Sequence, residues 1–432
     1  MKDRKLRGRQ VRWERLDNTA NLFPAIASQN MTNVYRIAVT LKEEIDGELL
    51  QQALDKVLPR FDTFRVRMRK GLFWYYFETN TKPAPTVRKE KHYPCRYIEP
   101  SVNNNYLFRL TYYRCRINLE VFHVLADGMG GVNFLREITY QYLRLKYDAL
   151  EGEEPDDFSD ETSLNTEDSY VKNYKKGHKK GYQTKRAVEV KGENLLTGEI
   201  SVMHGFMPVK AVKSACKKYD VSINEYFTAV FLYSIYMEYL HGQPSAKPIA
   251  ASIPVNLRPY FNSQTTRNFF VMVSAIFAPD RENIPLEEVM GIVKESLRSQ
   301  INKEHLEELF SYNVSNQKNI FLRFVPIFIK ILAMRFVYRS SARANTTTVT
   351  NIGKIQIKEA YQPYIRHFYA MISRSVGQSI KGAVCSYQDT IVFTITSGLY
   401  DVSIQRCFFR TLAGEDIPVV VETNGVQRKE ER

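Results

Sequence analysis

The sequence predicts an α/β (α+β) protein of two domains, each mixing strands with helices. The first reason is size: 432 residues, 44% of them hydrophobic, can bury two cores, because single cores stop growing near ~250–300 residues. The second is the alternation of short strand-like runs with amphipathic helical runs in both halves. The third is a break in composition over 151–188. It is acidic from Glu151 to Asp168 and lysine-rich from Lys172 to Arg186, it carries Gly177 and Gly181, and no core-forming pattern crosses it. Such a stretch reads as a solvated linker whose opposite charge blocks attract each other, or alternatively as a docking tail for a partner. Domains are therefore expected over 1–150 and 189–432.

In the first domain Val34 to Leu41 and Leu72 to Glu78 read as strands, with Gly47 to Leu58 a helix between them. Arg116 to Phe122 alternates like a half-buried strand, and Val132 to Tyr147 carries apolar residues at helical spacing. In the second, Val209 to Tyr219 and Ile223 to His241 read as helices; His241-Gly242 followed by Pro244 is a normal C-terminal stop. Ile249 to Val255 and Phe269 to Phe277 read as buried strands and Leu286 to Ile301 as a helix. Ala383 to Ser386, Ile391 to Thr396 and Gln405 to Arg410 read as further strands. The aromatic run Phe73-Trp74-Tyr75-Tyr76-Phe77 reads as core packing, the alternative being the wall of an apolar acceptor site.

Composition narrows the function. The net charge of +14 attracts anionic partners such as phosphates, acidic carrier proteins or membrane surfaces. No zinc-finger spacing, RNP-like strand or helix-turn-helix signature accompanies it, so no nucleic-acid partner is expected. The five cysteines form no C-x-x-C pair, which argues against a disulfide framework or a metal centre. Met1 to Arg12 is basic with no apolar run behind it, so the expected location is cytoplasmic, with peripheral membrane contact left open. The apolar run Ile320 to Tyr338 is interrupted by Arg323, Pro326, Lys330 and Arg335. Spanning a bilayer would bury three cations, so the run reads as a buried or interfacial helix.

The most informative stretch is Val121-Phe122-His123-Val124-Leu125-Ala126-Asp127-Gly128-Met129-Gly130-Gly131. It places a histidine where a strand turns into a helix, with an aspartate four residues on and three glycines after it. An imidazole so placed can take a proton from a bound hydroxyl or amine. The glycines permit a sharp turn and leave little side-chain bulk beside the ring. The alternative is a satisfied core histidine with Asp127 capping a helix that begins near Met129.

Phe122-His123-Val124-Leu125-Ala126-Asp127-Gly128 resembles the H-H-x-x-x-D-G signature of the acyltransferase superfamily that includes condensation domains, chloramphenicol acetyltransferase and alcohol O-acetyltransferases. Ile45 to Leu54 with Arg60 to Arg67 is similar to the family's first helix and following strand, and Ile253-Pro254-Val255-Asn256-Leu257-Arg258-Pro259 to its P-V-N-x-R segment. Asn268-Phe269-Phe270 and Val349 to Gly353 resemble later segments. The resemblance spans most of the chain and is greatest to free-standing alcohol acetyltransferase-like proteins. Phe122 replaces the first histidine of the pair, and no D-F-G-W-G segment is present, unlike the plant branch.

The resemblance implies two chloramphenicol acetyltransferase-like subdomains, with mixed sheets flanked by helices, and a tunnel between them that reaches His123 from both sides. His123 is then the general base, no acyl-enzyme forms, and Asp127 turns from substrate toward an arginine. Arg258 is the nominated partner, since a buried carboxylate needs a cation and a guanidinium pairs bidentately; the alternative is an ordinary surface arginine in a Pro-bracketed turn. Gly128 supports the turn. Asn256 and Asn268 are nominated to orient substrate or stabilise an oxyanion, with simple turn asparagines as the alternative. The implied co-substrate is acyl-CoA, the acceptor a small alcohol or amine, and no cofactor is permanently bound. Rival readings are a condensation enzyme taking its donor from an acyl carrier protein, and a non-catalytic binding protein.

Overall fold

The computed structural model describes residues 4–6, 9–153, 166–176, 185–318 and 324–426. Much of the linker expected over 151–188 lies outside them. What is described there is not wholly solvated: Tyr170 is 2% exposed and joins the second core, and Ala187 and Val188 are buried. Isolated apolar residues in a charged run can anchor a loop without leaving a periodic signal.

Two lobes are built on two mixed sheets. The first sheet has the order Ile365–Ile372, Val34–Leu41, Arg116–Phe122, Phe108–Tyr113, Arg88–Lys89, with only the last pairing parallel. Its edge strand Ile365–Ile372 arrives from the far end of the chain. The second sheet runs Phe270–Phe277, Ile249–Asn256, Thr347–Lys354, Ile380–Tyr387, Thr390–Ser397, Ser201–Pro208, Val420–Thr423, and its parallel pairs flank Thr347–Lys354. A three-stranded sheet of Trp13–Arg15, Tyr75–Thr79 and Val66–Lys70 completes the first lobe.

The helices follow their apolar spacing. Gly47–Val57 buries Leu50, Ala53, Leu54 and Val57, and Asp46 caps it by accepting from Glu48 N and Leu49 N. Ile223–Tyr239 starts on a capping box between Ser222 and Glu225, and His241 beyond its end takes a left-handed φ of 53°. The segment Gln405 to Arg410 is not a strand but part of helix Ser403–Gly414, where Ile404, Gln405, Phe408, Phe409 and Leu412 are buried at helical spacing. A six-residue window was too short to distinguish the two periods.

Strand Arg116–Phe122 is buried on both faces rather than half-buried. Its polar positions face not water but an ionic network: Glu120 lies between Arg36 and Arg109, and Glu90 joins Arg36 to Arg116. Alternation reported the chemistry of the two faces, not their solvation. The aromatic run splits likewise: Phe77 is in the core, whereas Trp74 is exposed at a hairpin tip.

Candidate active site

Strand Arg116–Phe122 delivers His123 to the junction of the lobes, where the His123 amide donates to Asn33 O at 2.9 Å. Phe122 stays in the core, so an apolar residue suits the position that holds the first histidine in the resembled motif. Chain direction then reverses into helix Gly128–Lys146, whose N-cap is Asp127.

Asp127 performs both of the jobs considered for it. Oδ1 accepts from Gly130 N at 3.2 Å, closing the cap, and Oδ2 accepts from Phe269 N at 3.0 Å. Arg258 donates to Oδ2 at 2.7 Å and to Oδ1 at 3.0 Å, a bidentate pair. The guanidinium also donates to Thr265 O and Arg267 O, and Tyr35 OH donates to Asp127 O at 2.8 Å. Each oxygen of this carboxylate thus accepts from two protein groups.

The glycines have a different task from the one their chemistry suggested. A Cβ on Gly130 would collide with Thr266 O, one on Gly131 would lie 2.7 Å from Tyr35 OH, and one on Gly128 would lie 2.5 Å from Ile352 Cδ1. They admit neighbouring protein rather than substrate.

Asn268 holds the histidine. Its Nδ2 donates to Asp17 Oδ2 at 3.1 Å, so its Oδ1 faces His123 Nδ1 at 3.0 Å. Amide and ring orientation therefore place the imidazole proton on Nδ1 and the lone pair on Nε2. Nε2 makes no hydrogen bond among the described residues, so it is the basic atom. One N–H of the Asn268 amide is thus used on Asp17, and its oxygen faces the ring. Asn256 is exposed, and its Oδ1 accepts from Arg258 N and Nη1, both at 3.1 Å; it steadies the arginine.

Three aromatic rings enclose the imidazole. Phe23 stacks on it with centroids 4.6 Å apart, Tyr35 meets it edge-on at 5.1 Å, and Phe270 lies tilted at 5.5 Å. Burial lowers the His123 pKa below the ordinary 6.5, opposed by the charge of Asp127 and reinforced by that of Lys381. A neutral ring at physiological pH follows, as a general base requires. Lys381 is itself buried, which brings it down to about 7, and burial pushes Asp17 up to about 7.

Two small cavities, about 40 and 20 Å³, are lined one around Cys95 and Arg374 and the other around Tyr239 and Leu399. Neither is lined by His123, a residue that is itself partly exposed. Asp17, Phe23, Tyr35 and Lys381 were not found from sequence. Asp17 lies 251 residues from Asn268, and no spacing signal connects them.

Comparison with protein-family models and with curated sequences finds no match. Solved structures do match over nearly the whole chain. Trichothecene 15-O-acetyltransferase from Fusarium sporotrichioides superposes with a TM-score of 0.62 at 10% identity, covering 96% of each chain. Polyketide synthase associated protein 5 from Mycobacterium tuberculosis gives 0.57 at 12%, covering 92% of this chain and 96% of that one. The starter condensation domain of rhizomide synthetase, solved with C8-CoA and Leu-SNAC, gives 0.58 at 12%, covering 93% of each. The fold is thus the two-lobed chloramphenicol acetyltransferase-like fold shared by acetyltransferases and condensation domains.

Proposed function

We propose that this chain is an acyltransferase that moves an acyl group, acetyl among them, from acyl-CoA to an alcohol or amine, with His123 as general base. The observation that carries the reading is the anchoring of Nδ1 by Asn268, which presents a neutral Nε2 where the lobes meet. The fold similarity to an acetyltransferase and to a condensation domain solved with C8-CoA supports it. In the reaction, Nε2 takes the acceptor proton as the oxygen or nitrogen attacks the thioester carbonyl. A C–O or C–N bond forms, the C–S bond breaks as the tetrahedral intermediate collapses, and the proton passes from the imidazolium to the departing thiolate. Asp127 and Arg258 hold the turn and exchange no proton.

The condensation-domain neighbours and the net charge of +14 favour, as a second reading, a donor carried on an acidic acyl carrier protein. Thiol release is the test, with acetyl-CoA, longer acyl-CoA and acyl-carrier protein as donors against a panel of alcohols and amines. His123→Ala should lower turnover by about 10²–10⁴-fold with circular dichroism unchanged. Equal release by the variant removes His123 as the base; no release above background from the native protein with any donor leaves a binding protein; release from carrier-bound donor alone selects the second.

A further inference from the structure

Helix Ile327–Ala342 is apolar on both sides yet lies on the surface. Its inner side is fixed: Ile331, Met334 and Tyr338 pack on Ala25, Ile26 and Met31, and Arg335 Nε donates to Ala25 O at 2.6 Å. Its start is tied to the hairpin tip, where Ile327 N donates to Leu72 O at 2.8 Å and Lys330 Nζ to Phe73 O at 2.9 Å. Its outer side carries Phe328, Leu332 and Phe336 at i, i+4 spacing, exposed by 59%, 64% and 77%. Leu72, 68% exposed, continues this ridge onto the hairpin tip, with Trp74 beside it. Monomeric proteins rarely leave so continuous an apolar ridge to water unless something covers it.

Charge selects the cover. No acidic residue occurs between Glu308 and Glu359, while Arg339 and Arg343 are exposed on and just after the helix. A second copy would bring the same cations face to face. No described helix is long and apolar enough to cross a membrane. Sixteen residues extend about 24 Å, enough to lie in a bilayer surface with the aromatic ridge among acyl chains and the arginines at phosphate level.

We propose that helix Ile327–Ala342 and the Leu72–Trp74 hairpin tip seat this protein on an anionic lipid surface. The seat adjoins the site, because helix Leu22–Ile26 packs against the docking helix and supplies Phe23 to the face of His123. The proposal holds whether or not the chain transfers acyl groups.

The test is flotation of the full-length protein with vesicles of phosphatidylcholine alone and of phosphatidylcholine mixed with phosphatidylglycerol, and sedimentation velocity without lipid. The native protein should float with the mixed vesicles and sediment as a monomer without them. Replacing the ridge by Phe328→Ser, Leu332→Ser and Phe336→Ser should lower binding at least about tenfold, and Arg339→Glu with Arg343→Glu should abolish the preference for the anionic vesicles. These side chains are exposed, and circular dichroism checks the fold of both variants. No flotation of the native protein, equal flotation of the ridge variant, or a lipid-free dimer that the ridge substitutions dissociate would overturn the proposal.

Discussion

At the scale of single residues the site is a set of directed hydrogen bonds around one ring. Asn268 fixes which nitrogen of His123 is basic, and Asp17 fixes which way Asn268 faces. Burial keeps the ring neutral, and the buried Lys381 ammonium acts in the same direction. The proposed acyl transfer should therefore fall on acidification with an apparent pKa below 6.5, as the imidazole gains a proton. Lys381→Met removes a positive charge that disfavours the imidazolium, so the acidic limb of kcat/KM should move up toward 6.5. A limb that stays in place or moves down would show that Lys381 does not act on His123. His123 was legible from its motif, whereas Asp17 and Lys381 were not: each acts across the fold through one hydrogen bond or one field, and neither leaves a local pattern.

At the scale of elements, the junction between strand Arg116–Phe122 and helix Gly128–Lys146 sets the position of the ring. Its glycines are there because Thr266, Tyr35 and Ile352 approach the helix start closely. Alanine is ordinarily better than glycine inside a helix by about 1 kcal/mol. Gly130→Ala should nonetheless destabilise, by about 1–3 kcal/mol from overpacking against a backbone carbonyl. Thermal denaturation decides: a raised Tm would mean that the Thr266 segment yields freely. Long helices such as Ile223–Tyr239 are legible because many turns repeat one spacing, while the six residues Gln405 to Arg410 cover fewer than two turns of helix Ser403–Gly414 and do not fix the period.

At the scale of the molecule, the lobes are joined through the same residues that build the site. Asp127 belongs to the first lobe, Arg258 to the second, and their bidentate pair is largely buried. Thr63 and Thr266 add a hydrogen bond at 2.6 Å between the lobes, and strand Ile365–Ile372 crosses to the first sheet. Arg258→Met would leave a buried carboxylate uncompensated, at a cost of about 3–5 kcal/mol. Chemical denaturation should show that loss, and adding Asp127→Asn should recover part of it. A single variant as stable as the native protein would mean that water reaches Asp127 and that the pair does not hold the lobes together.

The sequence by itself determined the local chemistry: a histidine at a strand end, a carboxylate able to cap the next helix, an arginine in a rigid turn, and a basic, apolar stretch around Lys330. Each depends on neighbours in the chain, and short-range spacing encodes it. Tertiary structure alone decided the partners. It gave Asn268 to His123 across 145 residues, filled the space beside the glycines with protein, and left the Phe328 ridge in solvent. Burial and pairing are set by whichever distant segment packs against a residue, and that is a property of the topology rather than of local spacing.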